Sequence, residues 1–376
     1  MRVDFRYLFV AAALASLAAC GGKPAGENAG GAPAPEEKIL HVLNWSDYVG
    51  PTTLEDFKAK TGIAVTYDVF DSNEVLETKL LAGRTGYDVV VPTAPFLERQ
   101  IKAGVFLKLD KSQLPNLSNM DPEIMKRTAL HDPGNEHAIT YLWGTVGIGY
   151  NVDMVKKALG TDTIDSWAVV FEPENASKLA KCGIALLESP TDVFASVSLY
   201  RGLDPNSEKP EDLAVVEATL MKVRQYIKKL HSSSYIEDLA SGEICVAVGW
   251  NGDVLQARDR GAAAARPVRI AYAIPKEGAI NYFDMLAIPA DAPHPGNAHA
   301  FINFLMDPAV IAKVSNKVRF ANGNAASLPL IDADVREDGA IYPGSEVRAR
   351  LHPDLAESPQ FSREMNRAWT HIRTGQ

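Results

Sequence analysis

From residue 39 the chain repeats one pattern, a strand followed by a helix, and that order constrains the fold more than any other feature. ILHVLN (residues 39–44) is an apolar, strand-like run, and TLEDFKAKTG then spaces Leu54 and Phe57 as a helix does, with Gly62 as its stop. IAVTYDVF is a second strand. DSNEVLETKLLAG is a second helix, announced by Asp71, Ser72 and Asn73 and closed by Gly83. YDVVVP is short and wholly apolar, as a strand buried on both faces must be, and PFLERQIKAG is a third helix. A βαβαβα order predicts a parallel α/β sheet.

The pattern changes at TYLWGTVGIGYNV, an extended segment in which Gly144, Gly147 and Gly149 let other parts of the chain pass close by. No helix begins on these glycines, so they do not form a dinucleotide-binding loop. The segment reads as a crossover between two lobes. Beyond it come helices in PENASKLAK, TDVFASVSLYRG and EDLAVVEATLMKVRQYIKKLH, then the strand EICVAVGW. RIAYAIPKEGAINYFDMLAIPAD is expected to be a hairpin turning at Lys276-Glu277-Gly278 and returning to the first lobe; the C-terminal part is helical. The expected partition is 39–144 with 266–319 in lobe 1, and 145–265 with 320–376 in lobe 2.

The N-terminus reads as a targeting segment. MRVDFR supplies basic residues, and the apolar run after it is too short to span a bilayer, so residues 1–19 are expected to be a signal peptide. Leu17-Ala18-Ala19-Cys20 looks like a bacterial lipobox, which implies lipidation of Cys20 and a protein held at the membrane only by that anchor. Residues 20–38, rich in Gly, Pro and Ala, are the flexible tether. The expected location is the periplasm. In that oxidising compartment Cys182 and Cys245 are expected to form a disulfide, with two free thiols as the alternative.

A net charge of −9 disfavours nucleic acid as a partner. The 8 histidines are scattered, and HExxH, GxSxG and P-loop motifs are absent from the sequence. No enzymatic activity, cofactor or metal is expected.

Ligands of open α/β sheets bind beyond the carboxyl ends of the strands. Aromatic, hydroxyl and carboxylate residues gather at those positions: Trp45-Ser46-Asp47-Tyr48 after the first strand, Thr93 after DVVVP, and Trp250-Asn251-Gly252-Asp253 after EICVAV. Tyr282-Phe283-Asp284 adds a fourth group. Aromatic faces attract cations and cover methylenes, while carboxylates hold ammonium groups. Several acids on distant strand ends imply a ligand with more than one positive charge. Taken singly, Trp45 could be core and Asp47 or Asp253 a helix cap. An acid inside the apolar stretch around Asp284 is harder to explain without a partner.

The stretch LHVLNWSDYVGPTTLEDFKAKTGIAVTYDVFDSNEVLETKLLAGRTGYDVVVP resembles the start of bacterial polyamine-binding receptors of ABC importers, of the putrescine type. The likeness continues through LERQIKAGVFLKLDKSQLPN, GIGYNVDMV, ICVAVGWNGDV and IPKEGA to FDMLAIPADA. The resemblance implies a two-lobed type II periplasmic-binding-protein fold with hinge strands and a ligand cleft, and a monomer that delivers its ligand to a permease in the inner membrane. It implies that Trp45, Tyr48, Trp250 and Tyr282 wall the ligand's methylene chain. Ser46, Asp47 and Asp284 would hold one ammonium, and Asp253 the other, with Thr93 and Asp192 nearby. Cys182 and Cys245 fall where these relatives have a disulfide. The chain departs from the family pattern at Phe320, where a Tyr is expected, and at Pro95, Leu255 and Asp192, which replace a small hydroxyl residue, an aromatic and a Glu. These departures bear on the preferred amine, with spermidine, agmatine or cadaverine, or a sensing role, as alternatives to putrescine import.

Overall fold

The computed structural model describes residues 36–375. The expected signal peptide, Cys20 and all but the end of the tether lie outside them. Among the described residues no helix is long and apolar enough to cross a membrane.

Parallel pairing of β1 (Ile39–Trp45) with β2 (Ala64–Phe70) and β3 (Val89–Val90) follows the strand–helix order read from the sequence. The intervening helix Thr53–Thr61 ends at Gly62, whose φ of 76° is one that side chains with a Cβ seldom adopt. Ser72 caps the next helix by accepting from Val75 N. β3 is buried throughout and β1 from Val42 on, as the apolar inner strands of a parallel sheet must be.

β4 (Ala138–Asn151) is the long glycine-studded strand. Its first part, up to Thr145, pairs antiparallel with β9 (Ala279–Ala287). From Val146 it pairs with β7 (Val246–Trp250), and from Ile148 also with β8 (Ile270–Ala273). One continuous strand thus changes partners midway. Beyond β7 lie β5 (Ile184–Leu186) and β6 (Ile227–Leu230), parallel to one another. The sheet order is β2-β1-β3-β9-β4-β7-β5-β6, with β10 (Ala321–Asn322) and β8 on β4 and β11 (Leu351–Pro353) on β9. Cys182 and Cys245, flanking β5 and β7, are joined in a disulfide.

Two expectations are corrected. β8 and β9 do not form a hairpin: both pair with β4, and the residues between them loop out. That loop is fixed from the other side, with Ser166 Oγ and Trp167 N donating to the Glu277 carboxylate and Trp167 Nε1 donating to Gly278 O at 2.9 Å. The long helix expected through YIKKLH stops at Val223, and Ile227–Leu230 is strand β6. Lysine-rich IKKL suits a helix locally, but pairing Ile227 with Ile184 completes the sheet.

Candidate functional site

β1 and β7 both deliver a tryptophan at their last residue. Trp45 Nε1 donates to Val91 O at 2.9 Å, which turns its ring across the end of β3; the ring packs on Phe70 at 4.4 Å between centroids. Trp250 Nε1 donates to Asp192 Oδ2 at 3.2 Å. The two indoles meet at 5.5 Å. Around them the chain encloses a cleft of about 610 Å³, its open mouth included.

Every site residue expected from the sequence lines this cleft except Asp47. Ser46 and Tyr48 follow Trp45 in the turn after β1. Thr93 precedes the helix Ala94–Lys102 and bridges to Asp284 in antiparallel fashion. Asp192 sits in the first turn of the helix Pro190–Tyr200, and Asp253 in the first turn of Asn251–Ala263. Tyr282 and Asp284 project from β9, and Phe320 packs against Tyr48 at 5.0 Å. The Phe320 ring also explains the glycine of the NGD motif, since a Cβ on Gly252 would lie 2.4 Å from it.

Asp47 is corrected in position. Its φ of 53° turns the side chain out of the cleft, where its half-exposed carboxylate accepts from Arg260 Nη2 at 3.0 Å. Nor does it cap the following helix, whose N-cap is Thr52. Asp253 is not a cap either: it is buried and accepts from Tyr235 Oη at 2.9 Å. Asn251, its neighbour in the motif, is structural, accepting from Thr145 N and donating to Ala340 O.

The cleft's electrostatics are one-sided. It contains Asp71, Asp192, Asp253, Asp284 and Asp354, and no lysine or arginine among the described residues. Asp284 is 3% exposed and accepts from Tyr48 Oη at 2.6 Å through Oδ2. Its Oδ1 has no partner, and neither has the buried Thr93 Oγ1. Buried polar atoms are nearly always paired, so unsatisfied ones aimed into a cleft point to a ligand. Burial pushes Asp284 up to about 8, with repulsion from Asp192 and Asp253 adding to it and the Tyr48 bond opposing. Burial likewise pushes Asp253 up to about 7 and Asp192 up to about 6. A cation between them would reverse those shifts.

The model of the bacterial extracellular solute-binding protein family matches residues 52–343. The chain belongs to this family. It is 52% identical over 354 residues to the putrescine-binding periplasmic protein SpuD of Pseudomonas aeruginosa, covering 93% of this chain and 96% of the relative. It is 51% identical over 344 residues to the putrescine-binding periplasmic protein PotF of Escherichia coli, covering 91% and 93%. A solved structure described as a putative spermidine/putrescine ABC transporter from Listeria monocytogenes superposes with a TM-score of 0.82 at 27% identity, over 90% of this chain and 100% of that one. The fold of this solute-binding protein is accordingly the two-lobed α/β type, and its family binds solutes rather than transforming them.

Sequence reasoning did not find Phe70, Asp71, Asn73, Thr191, Ser232, Ser233, Ile236 or Asp354, which complete the wall. Phe70 and Asp71 were within reach, because Phe70 ends β2 opposite Trp45 and Asp71 follows it. Asp354 follows β11, a three-residue strand with no periodicity to reveal it. Of the departures from the family pattern, Leu255 packs in a small core with Ile331 and Val335, and Pro95 lines a neighbouring cavity; neither lines this cleft.

Proposed function

We propose that this solute-binding protein is an extracytoplasmic receptor for a short linear diamine, putrescine, which it hands to an ABC permease. The carrying observation is the unpartnered Oδ1 of buried Asp284, facing a cleft that also holds Asp253 and Asp192 and no basic side chain. Two separated acids suit two ammonium groups, and a buried carboxylate without a counter-charge is costly. Asp284 and Ser46 hold one ammonium, with Thr93, bridged to Asp284, on that side; Asp253 holds the other, with Asp192 nearby. Trp45, Tyr48, Trp250, Tyr282 and Phe320 flank the methylenes and contribute cation–π attraction. The relatives named for putrescine support the choice of diamine.

The lobes are proposed as 39–144 with 266–319, and 145–265 with 320–376, save that β8 pairs with the second-lobe part of β4 and β10 with its first-lobe part; the change of partners in β4 after Thr145 supports a hinge there. Closure then follows from ligand contacts made from both lobes at once. A lipid on Cys20 would hold the monomeric receptor at the membrane facing the periplasm.

The test is a thermal-shift panel over putrescine, cadaverine, spermidine, spermine and agmatine, followed by calorimetry on those that stabilise. The largest stabilisation is expected from putrescine. No stabilisation by any amine would overturn the reading.

A further inference from the structure

The edge of β9 that faces away from β4 has a notch. β11 covers that edge as far as Asn281, and Thr93 bridges to it at Asp284, which leaves Tyr282 and Phe283 between the two. A cavity of about 790 Å³, its open mouth included, lies over these residues, and it is a neighbour of the diamine cleft. The two share Tyr282 and Asp354, the latter being the notch's one acid among the described residues.

The notch has the opposite chemistry to the cleft. Arg127, in the helix Pro122–Thr128, and Arg348, in the short helix Ser345–Arg348, both line it. Both are exposed, and among the described residues neither guanidinium has a hydrogen-bond or carboxylate partner. Pro95, Leu130 and Leu351 supply apolar wall. Leu130 is 67% exposed, more than any other large apolar side chain among the described residues. His131 is a second, independent observation, because it lines the cavity yet is 5% exposed. Its Nδ1 lies 3.0 Å from Glu98 Oε2, an acceptor, so Nδ1 carries the hydrogen and Nε2 is the free ring nitrogen. Among the described residues Nε2 has no partner, an uncommon condition for a buried polar side chain.

We infer that this notch is a second binding site, for a small organic anion with an apolar tail. A carboxylate or phosphate head pairs with Arg127 and Arg348, whose planar forks suit either oxyanion. His131 Nε2 accepts from a hydroxyl of the head, and the tail covers Leu130, Leu351 and Pro95. Amines are repelled by the same two arginines, so the notch and the cleft select ligands of opposite charge.

Calorimetry on the whole protein tests the inference, with hexanoate and hexyl phosphate as probes and acetate and inorganic phosphate as controls. At least one probe should bind, and the tighter of the two names the head group. Each control should bind about tenfold or more weakly than its probe, because it buries no methylenes. Arg127→Gln and Arg348→Gln should each lower probe affinity about tenfold, as loss of one partner of a charged pair does. Leu130→Asp should lower it similarly by placing an acid beside the head. All three side chains are exposed, so the variants should melt with the parent. Failure of both probes to bind at millimolar concentration would overturn the inference. So would binding that survives the double variant Arg127→Gln/Arg348→Gln, or controls that bind as tightly as the probes. Putrescine titrated alongside reports on the cleft separately, since none of these three residues lines it.

Discussion

Trp45 and Trp250 meet edge to face, their planes at 68° and ring centroids 5.5 Å apart, at the ends of two strands that are not neighbours in the sheet. Each is turned by its own indole hydrogen bond, to Val91 O and to Asp192. Their meeting makes one cleft of two strand ends. Trp250→Ala should therefore weaken putrescine binding by about 2 kcal/mol, the range for an aromatic anchor at a binding site. Trp250→Phe should lose less, because a ring face remains. Calorimetry that finds the Ala variant unchanged would remove the aromatic wall from the account.

Asp253 carries a different argument. Tyr235 Oη donates to its carboxylate and also accepts from Trp250 N, so the acid is tied to the loop that aims Trp250. Asp253→Asn keeps an oxygen for Tyr235 while removing the charge. The unliganded protein should melt no lower than the parent at pH 8, because a buried charge has been removed. Diamine affinity should fall by about 2–4 kcal/mol. A variant with lost stability and unaltered affinity would make Asp253 a structural acid.

The raised acids give binding a pH dependence of definite sign. Asp192, Asp253 and Asp284 stand at about 6, 7 and 8 in the folded protein, above the 3.8 of a free aspartate. Between those limits the folded state holds more protons than the unfolded one, so unliganded stability falls as pH rises through that range. A diammonium ligand favours the ionised acids, and its amines stay protonated to about pH 10. Binding should release protons near neutral pH, and affinity should climb from about pH 6 to about pH 8. Melting curves with and without putrescine, and calorimetry in two buffers of different ionisation enthalpy, measure both effects. A ligand-induced shift that stays flat across this range would separate these acids from the ligand.

Sequence reading picked out cleft-lining residues where local composition and strand position coincided. Trp45 and Asp253 were legible because they close or follow an apolar run, and Asp284 because an acid inside an apolar strand has few structural uses. Asp47 shares that neighbourhood, yet one left-handed backbone angle sends it to Arg260, and no pattern in WSDY announces the turn. Strand β6 was hidden for another reason: its helical propensity is overruled by a pairing partner more than forty positions away in the chain, as the register Ile184 to Ile227 makes plain. Asp354 and Ser232 reach the cleft from loops, where side-chain direction depends on tertiary packing that periodicity does not encode.

The Cys182–Cys245 bridge closes a loop of 63 residues between the elements that carry β5 and β7. Replacing both cysteines with serine should lower stability by about 4 kcal/mol, through the greater freedom of the unfolded chain. Denaturant melts would show a lower midpoint, while putrescine affinity at low temperature should be retained because neither cysteine lines the cleft. An affinity loss on the same scale as the stability loss would mean the bridge shapes the site directly.

Asp47 offers the sharpest contrast with the buried acids. It directly follows cleft-lining Ser46, but its carboxylate is half-exposed and its partner Arg260 is similarly open to solvent. Exposed ion pairs contribute at most about 1 kcal/mol and weaken with salt. Asp47→Asn should therefore change putrescine affinity by less than about 1 kcal/mol, and that small effect should vanish near 1 M salt as charge screening grows. Asp253→Asn, measured side by side, should keep its deficit there because its site excludes the screening ions. If Asp47→Asn matched Asp253→Asn in magnitude and salt resistance, the carboxylate would have to reach the ligand, and the outward-facing Arg260 pairing would not describe the bound state.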